Sequence, residues 1–363
     1  MEAKTQKVDY SGHTIHFGLD YHKKSWSIHP VHGQVSGKGY TIVNPTAEEL
    51  YRRLNLTYPN AKFVGVYEAG FCGYGLIREL KEYKVELHAI HAADVPLTDK
   101  DRQLKTDPRD AFRLAQLAQR GGYEKVYVPS IKEEGFRQLV RRRTDLVKSA
   151  TRAQNKIKGH LVFRNRLPEE FRFEDWRLTK KNVLKLEGLA RQIHAEEEME
   201  DHLLLSLIEE LRSCRREILN VTRTLRKVVR IQNGPLYDRL LGCPGVGPVT
   251  AMTLIGELFN MERFSSFEKL CSYVGFIPRS KSSGEREIKD RMVSRGNKRL
   301  RTILIEAAWQ SKAGDPALGL FYHRLVTDEN MKGNLAILKV ARKLLSRVRY
   351  VWNSGDEYRN NIG

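Results

Sequence analysis

The sequence predicts an α/β N-terminal domain (residues 1–128), a basic helical coiled-coil linker (129–235) and a mainly α C-terminal domain with a helix-hairpin-helix (236–363). Three observations carry this reading. Short apolar segments of strand length alternate with helix-period segments through the first 120 residues. Strand patterns stop after Pro129, where polar, basic helical sequence and a heptad-like seam take over. From Leu236 onward the helices are punctuated by glycine.

In chain order, strands are expected over 14–20, 24–30 and 38–43. A helix over 46–56 follows, opened by Thr46 with Glu48 and Glu49 in its first turn. A strand over 63–67, a helix near 74–83, a strand over 85–90 and a helix near 107–119 complete a βββαβαβα order. Such an order describes an antiparallel meander continued by parallel crossovers.

Residues 132–165 predict one long basic helix, with eight Lys or Arg and a single acid, Asp145, between Arg137 and Lys158. So one-sided a charge suits a phosphate backbone, with Arg141, Arg142, Arg143, Arg152, Lys156 and Lys158 as the contacts; a plain solvated face is the alternative. Residues 166–198 look like an irregular connector. Beyond it, Leu207, Leu211, Cys214, Ile218, Val221, Leu225 and Val228 recur at spacings of four and three, an a/d seam of about three heptads. The spacing leaves open whether the seam packs on the basic helix of its own chain or joins subunits, and a homo-oligomer is expected through it.

Composition sets the class of partner. The chain of 363 residues carries 63 Lys+Arg against 44 Asp+Glu, a net charge of +19. The first 120 residues hold +3 of that and the remainder +16, so polyanion binding is expected of the later segment. Hydrophobic residues at 40% without a biased tract exclude a disordered chain. No apolar run of about 18 residues occurs and the start is polar, so a cytoplasmic protein without membrane contact is expected. Four cysteines lack paired spacing and are expected as buried small hydrophobes.

Chemistry concentrates in three constellations. Asp20 ends the first expected strand, Glu68 ends the strand over 63–67, and Asp107 and Asp110 share one face of a helix by their spacing of three. Converging carboxylates repel unless cations sit among them, and a pair of Mg²⁺ or Mn²⁺ ions is the usual partner of such a set at a phosphodiester. Any one of these acids alone reads equally as a cap or turn residue, Asp107 before Pro108 as an N-cap. The second constellation, Gly242-Cys243-Pro244-Gly245-Val246-Gly247-Pro248, predicts a tight turn whose N–H groups, Gly245 and Gly247 included, suit a DNA phosphate; a plain interhelical turn is the alternative. The third is a Ser-rich loop over 275–284 framed by Arg279, Lys281, Arg295, Lys298 and Arg299, where a surface loop remains the chemical alternative because no base neighbours the serines. Gly70-Phe71-Cys72-Gly73-Tyr74-Gly75 fits no phosphate-loop fingerprint, and His88 and His91 read as a core or surface pair.

Taken together, Phe17-Gly18-Leu19-Asp20, Tyr67-Glu68-Ala69-Gly70, Lys105-Thr106-Asp107-Pro108-Arg109-Asp110-Ala111, Pro244-Gly245-Val246-Gly247, Gly275-Phe276-Ile277-Pro278, Ser283-Gly284 and Ser294-Arg295-Gly296-Asn297 resemble the DEDD transposases of a bacterial insertion-sequence family whose members act as bridge-RNA-guided recombinases. The resemblance implies a RuvC-like, RNase H-type N-terminal domain holding Mg²⁺ or Mn²⁺ on Asp20, Glu68, Asp107 and Asp110. It also implies a C-terminal serine that attacks DNA and is joined to it covalently. By position that serine is Ser283, with Ser282 and Ser280 as alternates. Donor DNA, target DNA and a structured bridge RNA are the implied partners. A metal-dependent junction nuclease and a non-catalytic nucleic-acid scaffold are the competing readings.

Overall fold

The computed structural model describes residues 8–92, 95, 106–165, 179–194, 198–277, 282–283, 286–287 and 296–359. The chain divides into two compact units, Met1–Val128 and Pro129–Gly363.

The first unit holds a mixed sheet. Strands β1 (Thr14–Tyr21), β2 (Ser25–His32), β3 (Val35–Ser36), β4 (Tyr40–Val43), β5 (Lys62–Glu68) and β6 (Glu86–Ile90) run in the order β3-β2-β1-β5-β6, with β4 also on β2. β1 and β2 are antiparallel, while β5 and β6 continue the sheet parallel to β1. Three helices cover it: α1 (Ala47–Thr57), capped by the Thr46 hydroxyl, α2 (Gly75–Glu82) and α3 (Asp107–Arg120). Strand alternation sends Ile15, Phe17 and Leu19 to one face, where they join Leu50 and Leu54 of α1 and Leu76 and Leu80 of α2. The opposite face carries Val66 and Ile90 against Leu114 and Ala118 of α3.

Gly18 lies on that second face. A Cβ there would fall inside the contact radii of the Ala111 carbonyl oxygen and the Ala115 amide nitrogen. Helix α3 therefore rests on the backbone of β1, with the small residues Ala111 and Ala115 fully buried beneath it.

In the second unit, the basic helix α4 (Ile131–Phe163) begins at a Ser130–Glu133 capping box. It is followed by α5 (Lys180–His194) and α6 (Glu198–Leu241), and α6 is kinked at Asn233, two residues before Pro235. The expectation of an irregular connector is corrected over 180–194: Leu186 and Ala190 are fully buried in a core shared with α4 and α6, so this stretch packs as a helix. Residues 166–178 lie outside the described set.

The heptad seam is occupied within the chain. Leu207 and Leu211 pack with Ala153, Ile157 and Leu161 of α4, and Leu225 packs with Phe136 and Val140 at the other end. Of the two partners the spacing allows, the chain's own helices take the ends of the stripe, while Cys214, Ile218, Val221 and Val228 along it are only partly buried.

The remaining helices are α7 (Pro248–Leu258), α8 (Phe267–Val274), α9 (Lys298–Gly314), α10 (Pro316–Thr327) and α11 (Gly333–Ser354), with a two-residue strand pair, β7 (Ser282–Ser283) and β8 (Arg286–Glu287), between α8 and α9. They enclose one core together with the start of α4 and the end of α6. Cys243 and Cys271 are buried in it, and burial pushes the Cys243 thiol up to about 12; Cys72 and Cys214 are only partly buried. Among the described residues no helix is long and apolar enough to cross a membrane.

Gly18→Ala is expected to cost about 1–3 kcal/mol, because the added methyl overpacks a backbone-to-backbone contact. Thermal unfolding checks this, with Gly75→Ala, where the added carbon meets open space, as the unaffected comparison.

Candidate functional site

Asp20 is the next-to-last residue of β1, and Glu68 is the last of β5. Leu19 pairs with Tyr67 in the parallel register, so Asp20 and Glu68 each stand one residue further along, at the same carboxyl edge. Alternation puts both on the face that α3 covers. The carboxyl ends of parallel strands are where open α/β sheets leave room for a ligand.

Helix α3 brings the other two acids. Its N-cap is Thr106, so the capping alternative for Asp107 gives way: Asp107 occupies the first turn beside Pro108. Because α3 lies directly on Gly18, two residues before Asp20, that first turn reaches the strand end. Donor atoms of Asp20, His22 and Asp107 lie within 4.8 Å of one another. His22 Nε2 is 3.2 Å from Asp20 Oδ2 and 3.8 Å from Asp107 Oδ2. Asp110 stands one helical turn on, its carboxylate accepting a hydrogen bond from Arg113. Glu68 is exposed at the same edge and lies outside this close group.

The electrostatics follow from burial first and crowding second. Burial pushes the Asp20 carboxyl above the ordinary carboxylate range, and repulsion from Asp107 and Asp110 adds to the rise, while His22 opposes it. Asp107, with 57% of its side chain exposed, opens the group to solvent. Two carboxylates and an imidazole facing one another, with no Lys or Arg among the three, form a donor set that fits a divalent cation such as Mg²⁺ or Mn²⁺. The glycine-rich loop after Glu68 touches the end of β1. Cys72 Sγ lies 3.4 Å from the Tyr21 carbonyl, and burial and the charge of Asp20 raise its thiol. His22 went unnoticed in the sequence; its signal is the i, i+2 spacing from Asp20, which repeats the face of a strand. His88 is bound by the Tyr123 hydroxyl and by Glu86.

The basic residues of the second unit divide by partner. Arg141 donates two hydrogen bonds, at 2.7 and 2.8 Å, to the fully buried Glu257 of α7. The same carboxylate accepts one from Asn297 at 2.8 Å. Arg143 donates to the Thr222 hydroxyl of α6. Arg299 pairs with Asp145, and Lys156 lies 4.0 Å from Glu210. Arg142, Arg152 and Lys298 are exposed, and Lys158 is half-buried.

Gly247 is exposed at the N-cap of α7, whereas Gly245, at a φ of 81°, lies against Ala307 and Ser311 of α9, where a Cβ would overlap the Ala307 carbonyl. Gly245 therefore serves close helix packing as well as the turn. Ser283 pairs with Arg286 in the β7–β8 register. Arg279, Lys281, Arg295 and the alternate serine Ser280 lie outside the described residues.

Two outcomes are expected. Relative to its ordinary value of 3.8, a raised Asp20 carboxyl binds its proton more tightly in the fold than in the unfolded chain. Metal-free stability therefore falls as pH rises from 3.8 through the raised value. Asp20→Asn should raise the melting temperature of the metal-free protein at pH 7 and abolish the further rise that Mn²⁺ gives the parent. On the basic helix, neutralising Arg142, Arg152 and Lys156 should flatten the slope of log K against log salt for duplex DNA by about two to three units. Arg141→Gln should instead lower stability.

Residues 17–164 match a family model of IS110-type DEDD transposases, and residues 237–323 match a model described as the transposase IS116/IS110/IS902 family. The y4rJ protein of Sinorhizobium fredii is 27% identical over 94% of this chain and 92% of its own length. Another protein of that organism, y4qE, is 28% identical over 69% of this chain, which spans 59% of its length. The transposase for insertion sequence element IS1111A of Coxiella burnetii is 28% identical over 56% of this chain and 54% of its own. The two model matches fall in tandem and together take in more than half of the residues, so the chain belongs to the IS110-type insertion-sequence transposases.

Proposed function

We propose that this chain is the strand-exchanging recombinase of its insertion sequence, guided to donor and target DNA by a structured bridge RNA. The observation that carries the reading is the facing pair of Asp20 and Asp107 at the carboxyl edge of the sheet, in a family of DNA transposases. The strand order supports an RNase H-like, RuvC-like first unit.

In this reading Asp20, Glu68, Asp107 and Asp110 hold Mg²⁺ or Mn²⁺. The bound ion supplies Lewis-acid stabilisation of charge on the phosphate oxygens. Asp20 and Asp107 fix its position from a strand end and a helix start, both rigid elements. Ser283 supplies the nucleophile: its Oγ–P bond forms as the phosphorus bond to a deoxyribose oxygen breaks, and the serine's proton ends on that leaving hydroxyl. Reversal with the hydroxyl of another strand restores the serine and exchanges the DNA without hydrolysis. Arg142, Arg152 and Lys298, exposed on the second unit, hold phosphates of RNA or DNA, and Gly247 presents the N-terminus of α7 to a further one.

A DNA carrying the element's ends, mixed with the transcript of its noncoding end and Mg²⁺, tests the reading. The parent should give an SDS-resistant protein–DNA adduct and recombinant product. Ser283→Ala should lose both while still binding RNA and DNA. Asp20→Asn should lose the product by at least about 10²-fold. Cleavage that survives Ser283→Ala, Ser282→Ala and Ser280→Ala with no adduct would establish the competing reading, a nuclease using metal-activated water.

A further inference from the structure

Resting on the metal-binding reading of the acidic edge, we propose that His22 is a direct nitrogen ligand of the ion held there and that it biases the site toward Mn²⁺ over Mg²⁺. Three observations support the assignment. His22 follows Asp20 by two, so a side chain leaving the strand end shares the face of the acid. Its backbone N–H donates to the Ser25 carbonyl at 3.1 Å, closing the turn from β1 to β2 and fixing the residue in place. Its Nε2 stands 3.2 and 3.8 Å from carboxylate oxygens of Asp20 and Asp107.

The shorter of these contacts is a hydrogen bond as it stands, and its length is also one that two ligands of a shared cation can have. With metal–ligand distances of about 2.0–2.2 Å, neighbouring donors on one coordination sphere lie about 3.0–3.6 Å apart. The His22–Asp20 separation falls within that range and the His22–Asp107 separation is only slightly wider, so small side-chain rotations would complete the sphere. Donor chemistry then sets the preference. Mg²⁺ takes oxygen and water and accepts imidazole poorly, whereas affinity for nitrogen rises from Mn²⁺ onward through the first transition row. A site of carboxylates alone lacks this bias.

Electron spin echo spectroscopy of the full chain loaded with one equivalent of Mn²⁺ should show coupling to a directly bound imidazole nitrogen, and His22→Ala should remove it. In titration calorimetry, His22→Ala and His22→Gln should each weaken Mn²⁺ by about 10-fold or more, with Mg²⁺ changed by less than about 3-fold. Circular dichroism confirms the fold of both variants. Mn²⁺ bound without nitrogen coupling, or coupling that persists in His22→Ala, would overturn the role of His22 and leave the acidic site standing. If neither ion binds, or if Asp20→Asn binds Mn²⁺ as the parent does, the metal-binding reading falls and the proposal falls with it.

Discussion

The missing side chain at Gly18 sets the distance between β1 and α3, and the acidic edge depends on that distance. A helix on a sheet is ordinarily held off by a layer of side chains. Here Ala111 and Ala115, one turn apart on α3, meet the strand backbone itself. The first turn of the helix is thereby lowered onto the carboxyl edge, where Asp107 reaches Asp20. Glu68 needs no such device, because the parallel pairing of β1 with β5 already places it there. Close packing thus holds like charges together that would separate in solution; burial is the first cause of the raised Asp20 carboxyl, and repulsion from Asp107 and Asp110 adds to it.

In the second unit the comparable role belongs to Glu257. A carboxylate with no solvent exposure is unfavourable unless it is paired and hydrogen-bonded, and Arg141 and Asn297 give this one three hydrogen bonds. The network ties α4 to α7 and to the N-cap of α9, while the Tyr273 hydroxyl on the Glu257 carbonyl adds α8. One of the charges that make α4 so basic is therefore internal structure. The face left for a polyanion is narrower than the composition suggests.

Much of the first unit was legible in the sequence because its signals are local. Alternation located β1, β2, β4, β5 and β6 to within one or two residues, and Thr46 announced α1. What escaped depends on partners distant in the chain or on elements too short to show a period. Val35–Ser36 is only two residues long. His22 resembles any polar residue after a strand until α3 delivers Asp107 from 85 positions later. The diversion of Arg141 rests on a glutamate 116 residues away. The seam from Leu207 was visible as a seam, but its partner was not, since a heptad stripe packs equally on its own chain or on another. Leu186 and Ala190 show why 180–194 is helical only once α6 is beside them.

The backbone N–H of Asn297 donates to the Tyr273 carbonyl at 2.7 Å, so the chain returns to the core beside the place where it left. The two ends of the segment that contains Ser283 are thereby fastened to one another through the backbone. Lengthening such a loop is inexpensive, about 0.6 kcal/mol for each doubling. Changes of length or charge between these two ends are therefore expected to leave the helices that carry them in place.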